Sequence, residues 1–155
     1  MNFPILSSLI LLPLIGSVFI FFNKSSEKNR TIKYVSIFIT FSNFLLALYL
    51  WYIFDKSISD FQFIEDREWI SGLINYKVGI DGISILFVVL TAFITPLCVI
   101  SVISTIKYRL KDFLIAILIM ESLMIGVFCS LDLVVFYLFF EGGLIPMFLI
   151  IGIWG

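Results

Sequence analysis

Apolar and polar residues fall into long blocks along this chain and do not alternate. Five apolar runs stand out, at Phe3 to Phe22, Ile32 to Phe54, Gly82 to Ile106, Phe113 to Ser130 and Leu133 to Trp154. Each is close to the roughly 20 residues a helix needs to cross about 30 Å of hydrocarbon. The longest polar interruption, Asp55 to Ile80, reads as a loop, and a very short turn around Leu131 joins the last two runs. The pattern predicts an all-α membrane protein of five transmembrane helices in a single membrane domain over 1–155. No internal repeat or low-complexity linker is visible. The first run stays as a helix, because Met1-Asn2-Phe3-Pro4 supplies no basic stretch and no small-residue cleavage site follows. Pro13, Pro96 and Pro146 lie inside runs and are candidate kinks, since each frees the carbonyl four residues earlier.

Composition sharpens this picture. With 61% hydrophobic and 14% charged residues, and a mean hydropathy of +1.16, no water-facing shell can be built. The net charge of -1 carries neither a nucleic-acid footprint nor an acidic tail. What matters is where the ten Lys and Arg fall. Lys24, Lys28, Arg30 and Lys33 crowd the first loop, and Lys107, Arg109 and Lys111 the third. The second loop sets Lys56, Arg67 and Lys77 against Asp55, Asp60, Glu65, Asp66 and Glu68, and the fourth holds only Asp132. The positive-inside rule then predicts a multi-pass protein with its first and third loops inside and its N-terminus outside. The chain leaves the fifth helix inside, in mid-pattern, so a truncated or split chain is expected.

Two acidic residues break the pattern. Glu121 and Glu141 sit near the middle of the fourth and fifth runs. A carboxylate at that depth costs about 2.5 to 3.5 kcal/mol even on the lenient insertion scale, so such residues are read as functional first. Both are ten residues from Leu131, which in an antiparallel hairpin predicts the same depth for the two. Whether they face one another depends on helix rotation and stays open. Ser122, Gly126 and Ser130 give Glu121 a small-residue face on which another helix can approach. Glu141 precedes Gly142, Gly143 and, five positions on, Pro146, which cannot donate to the Gly142 carbonyl. Water ordered there, beside a carboxylate, would make a proton relay. A movable cation would load and unload it, but all ten Lys and Arg lie in loops or at the ends of runs and none at membrane depth, so that partner is expected from residues beyond Gly155 or from another chain. The competing reading makes both glutamates mere glue between helices.

The remaining polar residues suggest structural roles. Asp81, Asp112 and Asp132 each precede an apolar run and are expected to cap helix amides. Trp51, Trp69 and Trp154 read as interfacial anchors. Cys98 and Cys129 lack metal or redox spacing and are expected to be packed, inert thiols. The absence of histidine removes His-ligated metal and haem sites and Ser-His or Cys-His catalysis.

Three stretches go further. FFEGGLIPMFLIIGIWG, Phe139 to Gly155, resembles the fifth-helix signature of the chain M (chain 4) subunit of NADH:quinone oxidoreductase, respiratory complex I. EWISGLINYKVGIDGIS, Glu68 to Ser84, looks like the segment before that family's third helix, and ESLMIGVFCSLDLVVFYLFFE, Glu121 to Glu141, like its fourth-to-fifth helix hairpin. The LIPM after Glu141 favours chain M over its chain L sibling and the cation-proton antiporters. The resemblance covers essentially this whole chain but only the N-terminal third of the family. It implies an antiporter-like, proton-translocating membrane subunit that couples NADH oxidation by quinone to proton transport. Glu141 would be the principal proton carrier, paired in the family with a lysine on a later helix, and Glu121 a second acidic position. It implies no cofactor and no metal in this chain, with NADH, FMN, iron-sulfur clusters and quinone held by partner subunits. Partners would be the other membrane subunits of complex I, the missing part of the same subunit or a second chain, and the lipid bilayer, with no nucleic acid. The membrane would be a bacterial plasma membrane or the mitochondrial inner membrane, and a fragment of this length would not pump alone. A cation-proton antiporter subunit and a non-catalytic membrane anchor are the alternatives.

Overall fold

Long apolar runs without a hydrophobic stripe favour helices whose backbone bonds are satisfied within each segment, the form that lipid requires. The computed structural model describes residues 4–23, 30–70 and 74–155. Lys24 and Lys28 of the predicted basic loop, and Phe3 at the first predicted boundary, lie outside the described residues, as does the side chain of Trp69. The helices are α1 (Ile5–Phe22), α2 (Arg30–Ile53), α3 (Ser84–Thr105), α4 (Leu110–Cys129) and α5 (Leu133–Trp154), each within three residues of its predicted limits. All five are long and apolar enough to cross a membrane, as expected of a multi-pass membrane protein. Pro13, Pro96 and Pro146 lie inside α1, α3 and α5 without ending them.

Helix α4 is the hub and packs against the other four. Its small face works as expected: buried Ser122 donates to the Ile10 carbonyl of α1 at 2.5 Å. A Cβ on Gly126 would stand 2.7 Å from the Phe139 ring of α5. At the opposite extreme, α5 buries only Val135 and Pro146, and large side chains such as Phe148 and Ile145 are exposed along it. Exposed Phe, Ile and Leu also cover the outer faces of α1, α2 and α3, where lipid would supply the contacts.

The segment expected as a loop between α2 and α3 contains an antiparallel hairpin, β1 (Gln62–Ile70) and β2 (Ile74–Ile80). It lies across the end of the bundle where α1 and α5 begin. Val78 and Ile80 are fully buried against Leu6, Leu50 and Cys129, and the Leu131 amide donates to the Lys77 carbonyl at 2.9 Å. That bond fixes the α4–α5 turn to the hairpin. Helix α1 has no side-chain cap of its own, and Glu65 of β1 supplies one. Its carboxylate accepts from the Leu6 amide at 2.9 Å, the Ser7 amide at 3.2 Å and the Ser7 hydroxyl. The Tyr76 phenol adjoins the same hydroxyl at 3.1 Å, and burial raises its pKa above the ordinary value. At the other end of α1, the Lys111 ammonium donates to the carbonyls of Phe21 at 3.0 Å and Asn23 at 2.8 Å.

The three predicted Asp caps divide. Asp132 caps α5, accepting from Val134 and Val135 amides at 2.9 and 3.1 Å. Asp81 accepts from the Ser84 amide at 2.7 Å while Ser84 Oγ accepts from the Asp81 amide at 2.8 Å, a reciprocal cap at the head of α3. Those Ser84 bonds hold the Asp81 carboxyl below its usual pKa. Asp112 does not cap: it sits inside the first turn of α4 and pairs with Arg109 at 2.7 Å, leaving only its favourable charge at the helix N-terminus. Of the two thiols, Cys129 is buried as expected, but Cys98 is exposed on α3 and is not packed. Trp154 is fastened to protein as well as placed near a helix end, donating to the Tyr108 carbonyl at 2.8 Å and meeting Phe113 edge-on.

Candidate functional site

The two intramembrane glutamates occupy different surroundings because α4 and α5 differ in exposure. The α4–α5 packing sets Gly126 against Phe139 and Gly142 against Leu123. That register places Glu121 opposite Leu144, so Glu141 lies three residues away, about 4.5 Å along the axis. The two glutamates thus lie within one helical turn of each other in depth, close to the level expected from the turn. No hydrogen bond joins the two carboxylates among the described residues.

Glu121 points into the bundle and is 2% exposed. Its Oε1 accepts from Asn43 Nδ2 of α2 at 2.9 Å, a bond buried at both ends. The second oxygen, Oε2, is also buried and has no partner among the described residues, and the same is true of Asn43 Oδ1. Glu141 lies on the exposed face of α5, where the Tyr137 hydroxyl one turn earlier donates to its Oε1. One acid is thus enclosed by helices of this chain, and the other faces outward from the apolar surface of α5. The interiors of the five spans bring no Lys or Arg to either of them.

Asn43 and Tyr137 were not singled out from sequence. Asn43 had a signal available: Ser36, Thr40 and Asn43 recur at helical spacing on one face of α2, and all three are fully buried. Tyr137 stands four residues before Glu141, the spacing at which helical side chains meet. Among the described residues, no group of three or more Cys, Asp or Glu is arranged to hold a metal ion.

No protein-family model matches the chain. It is 47% identical over 151 residues to NADH-ubiquinone oxidoreductase chain 4 of Marchantia polymorpha, covering 97% of this chain and 30% of that one. It is 56% identical over 127 residues to NADH-quinone oxidoreductase subunit M of Rhodobacter capsulatus, covering 82% and 24%. With subunit M of Rickettsia prowazekii it shares 42% over 158 residues, covering 100% and 32%. In structure it is similar to a chain of the membrane-bound sulfane sulfur reductase, an archaeal respiratory membrane complex. There the TM-score is 0.75 at 18% identity, over 95% of this chain and 23% of that one, a likeness of fold. The chain spans about a third of the length of the curated relatives it matches. By these likenesses the chain belongs to the family of NADH-quinone oxidoreductase subunit M and NADH-ubiquinone oxidoreductase chain 4.

Proposed function

We propose that this chain is a proton-handling part of the membrane arm of an NADH:quinone oxidoreductase, with Glu141 as the principal intramembrane proton carrier and Glu121 as a relay. The observation that carries this reading is Glu141, an ionisable group held in an apolar span on the open face of α5. A carboxylate in such a place is read as functional first. The names of the relatives set the reaction class, an oxidoreductase complex acting on NADH and quinone.

The roles divide by exposure. The open face of α5 leaves room for a further helix of the same subunit or another membrane subunit. A lysine brought there would stabilise the Glu141 carboxylate, and its withdrawal would favour proton uptake. Glu121 is bonded to Asn43 and also helps hold α2 to α4, which favours a partly structural role for it. Electron transfer, NADH, FMN, iron-sulfur clusters and quinone belong to other subunits in this reading. Its membrane is a bacterial plasma membrane or the mitochondrial inner membrane. The ends bearing Arg30, Lys33, Lys107 and Lys111 face inward and the hairpin faces outward, following the positive-inside rule.

The test is proton pumping by the whole complex during NADH oxidation. Glu141→Gln keeps the shape and removes the ionisable proton, and should abolish most of the pumping, whereas Glu121→Gln should lower it less. Pumping at the native level in both variants would refute the mechanism.

A further inference from the structure

We infer that Asn43 is a positioning residue for a proton held on Glu121, so that α2 and α4 meet as a neutral acid–amide pair with the proton on Glu121 Oε2 shared toward Asn43 Oδ1. The inference starts from which atoms are left over. Asn43 Nδ2 donates to Glu121 Oε1 at 2.9 Å, and the two buried atoms without a partner among the described residues are the other oxygens of the same two side chains. An ionised carboxylate only accepts, and Asn Oδ1 only accepts. An ionised pair would therefore bury two lone acceptors together with an unneutralised charge, each costly away from water. One proton on Oε2 changes both faults at once, because a carboxyl offers one donor and one acceptor to an amide that offers the same.

Neighbouring groups do not supply that donor. Thr40 Oγ1 donates to the Ser36 carbonyl at 3.0 Å, Ser36 Oγ to the Ile32 carbonyl at 2.9 Å and Ser122 Oγ to the Ile10 carbonyl at 2.5 Å. Thr95 Oγ1 on α3 donates to the Thr91 carbonyl at 2.9 Å. Nor, among the described residues, does a cation stand close enough to stabilise the anion. Helices α1 and α3 carry no charged side chain, Arg30 and Lys33 lie in the first turn of α2, and Arg109, Lys111 and Asp112 stand at the head of α4. Tyr76 and Lys77 belong to the hairpin, and Glu141 is turned to the exposed face of α5. Lys33, the nearest of the α2 cations in sequence, is about 15 Å of helix away from Asn43. Release of the proton leaves Oε2 as carboxylate and strips Asn43 Oδ1 of its donor, so the amide favours retention until water or a rearrangement of α2 supplies a replacement. This deepens the proton-handling reading above and depends on it for its consequence, though not for its measurement.

The measurement is infrared spectroscopy of the whole complex, reading the C=O stretch of a protonated carboxyl at neutral pH and its response to D2O. A band that Glu121→Gln removes is expected in the native complex. In Asn43→Leu, which deletes both hydrogen bonds, that band should move to higher wavenumber, and Asn43→Gln, which restores an amide, should bring it back toward its native position. If Asn43→Leu does not assemble, Asn43→Ser reads the same displacement. No Glu121-dependent band in the native complex, or a band that the Leu and Ser variants leave in place, overturns the inference. Native pumping by both Glu141→Gln and Glu121→Gln would overturn the broader reading while leaving the native band and its Asn43 dependence intact, so the two failures are distinct.

Discussion

Replacing Glu65 by Ala should loosen the hairpin from the bundle by an amount that the contacts allow one to work out. The carboxylate holds the amides of Leu6 and Ser7, at 2.9 and 3.2 Å, together with the Ser7 hydroxyl. These are among the amides that a helix cannot satisfy for itself. Losing a capping residue typically costs about 1 kcal/mol, and bonds to a charged group are worth more than neutral ones, so about 2 kcal/mol is expected at this half-buried site. That is roughly a thirtyfold rise in the detached population. Tryptic cleavage at Arg67 and Lys77, in vesicles whose hairpin side faces the protease, reads that population as long as the hairpin recloses faster than it is cut. Glu65→Gln, which keeps one acceptor but no charge, should fall between. A Glu65→Ala protein cut at the native rate would refute the argument, since no other side chain among the described residues caps Leu6 and Ser7. The same vesicles report which side of the membrane carries the hairpin.

Three further substitutions probe the α4–α5 pair. Gly126→Leu drives side-chain atoms into the Phe139 ring, which already lies 2.7 Å from where a Cβ would be; overpacking of this kind costs about 1 to 3 kcal/mol. It should reduce the amount of assembled complex seen on native gels. Asp132→Ala removes the acceptor for two amides at the head of α5 and should cost about 1 kcal/mol, read as a lower midpoint in detergent unfolding of the assembled complex. Tyr137→Phe deletes the only hydrogen bond seen for the Glu141 side chain among the described residues and should slow pumping less than Glu141→Gln, because the proton-carrying atoms remain.

The five spans were legible because hydropathy over some twenty residues is a collective signal that no single residue can undo. The hairpin was not, although Gln62 to Ile70 and Ile74 to Ile80 are strands. Register shifts between Gln62 and Glu65 and between Glu68 and Ile70 break the alternation by which a half-buried strand is recognised. Phe63, at φ 54 within the first of these shifts, adds an irregularity that no glycine announces. In the site, both glutamates were found from their cost in hydrocarbon. Their partners depend on how each helix is rotated, a property of packing between helices that a single run does not encode. Thus Glu121 looks inward to Asn43 and Glu141 outward past Tyr137, though the two runs read much alike. Asp112 was misjudged for a local reason: Arg109, in a left-handed conformation at φ 51, takes the position before the helix and draws the carboxylate to itself.

The ends of α1 bear on how the protein is made. The carboxylate that closes its amides lies 58 and 59 positions later in the chain, and the ammonium that closes its carbonyls lies 88 and 90 positions later. During synthesis the first helix therefore enters the bilayer with both ends still served by water. Its N-terminal end exchanges that water for Glu65 once the hairpin has emerged, and its C-terminal end waits for Lys111 at the head of α4. Of the five helices α1 precedes the others in the chain yet is in this sense among the last to be finished, its final seating timed by the arrival of α4.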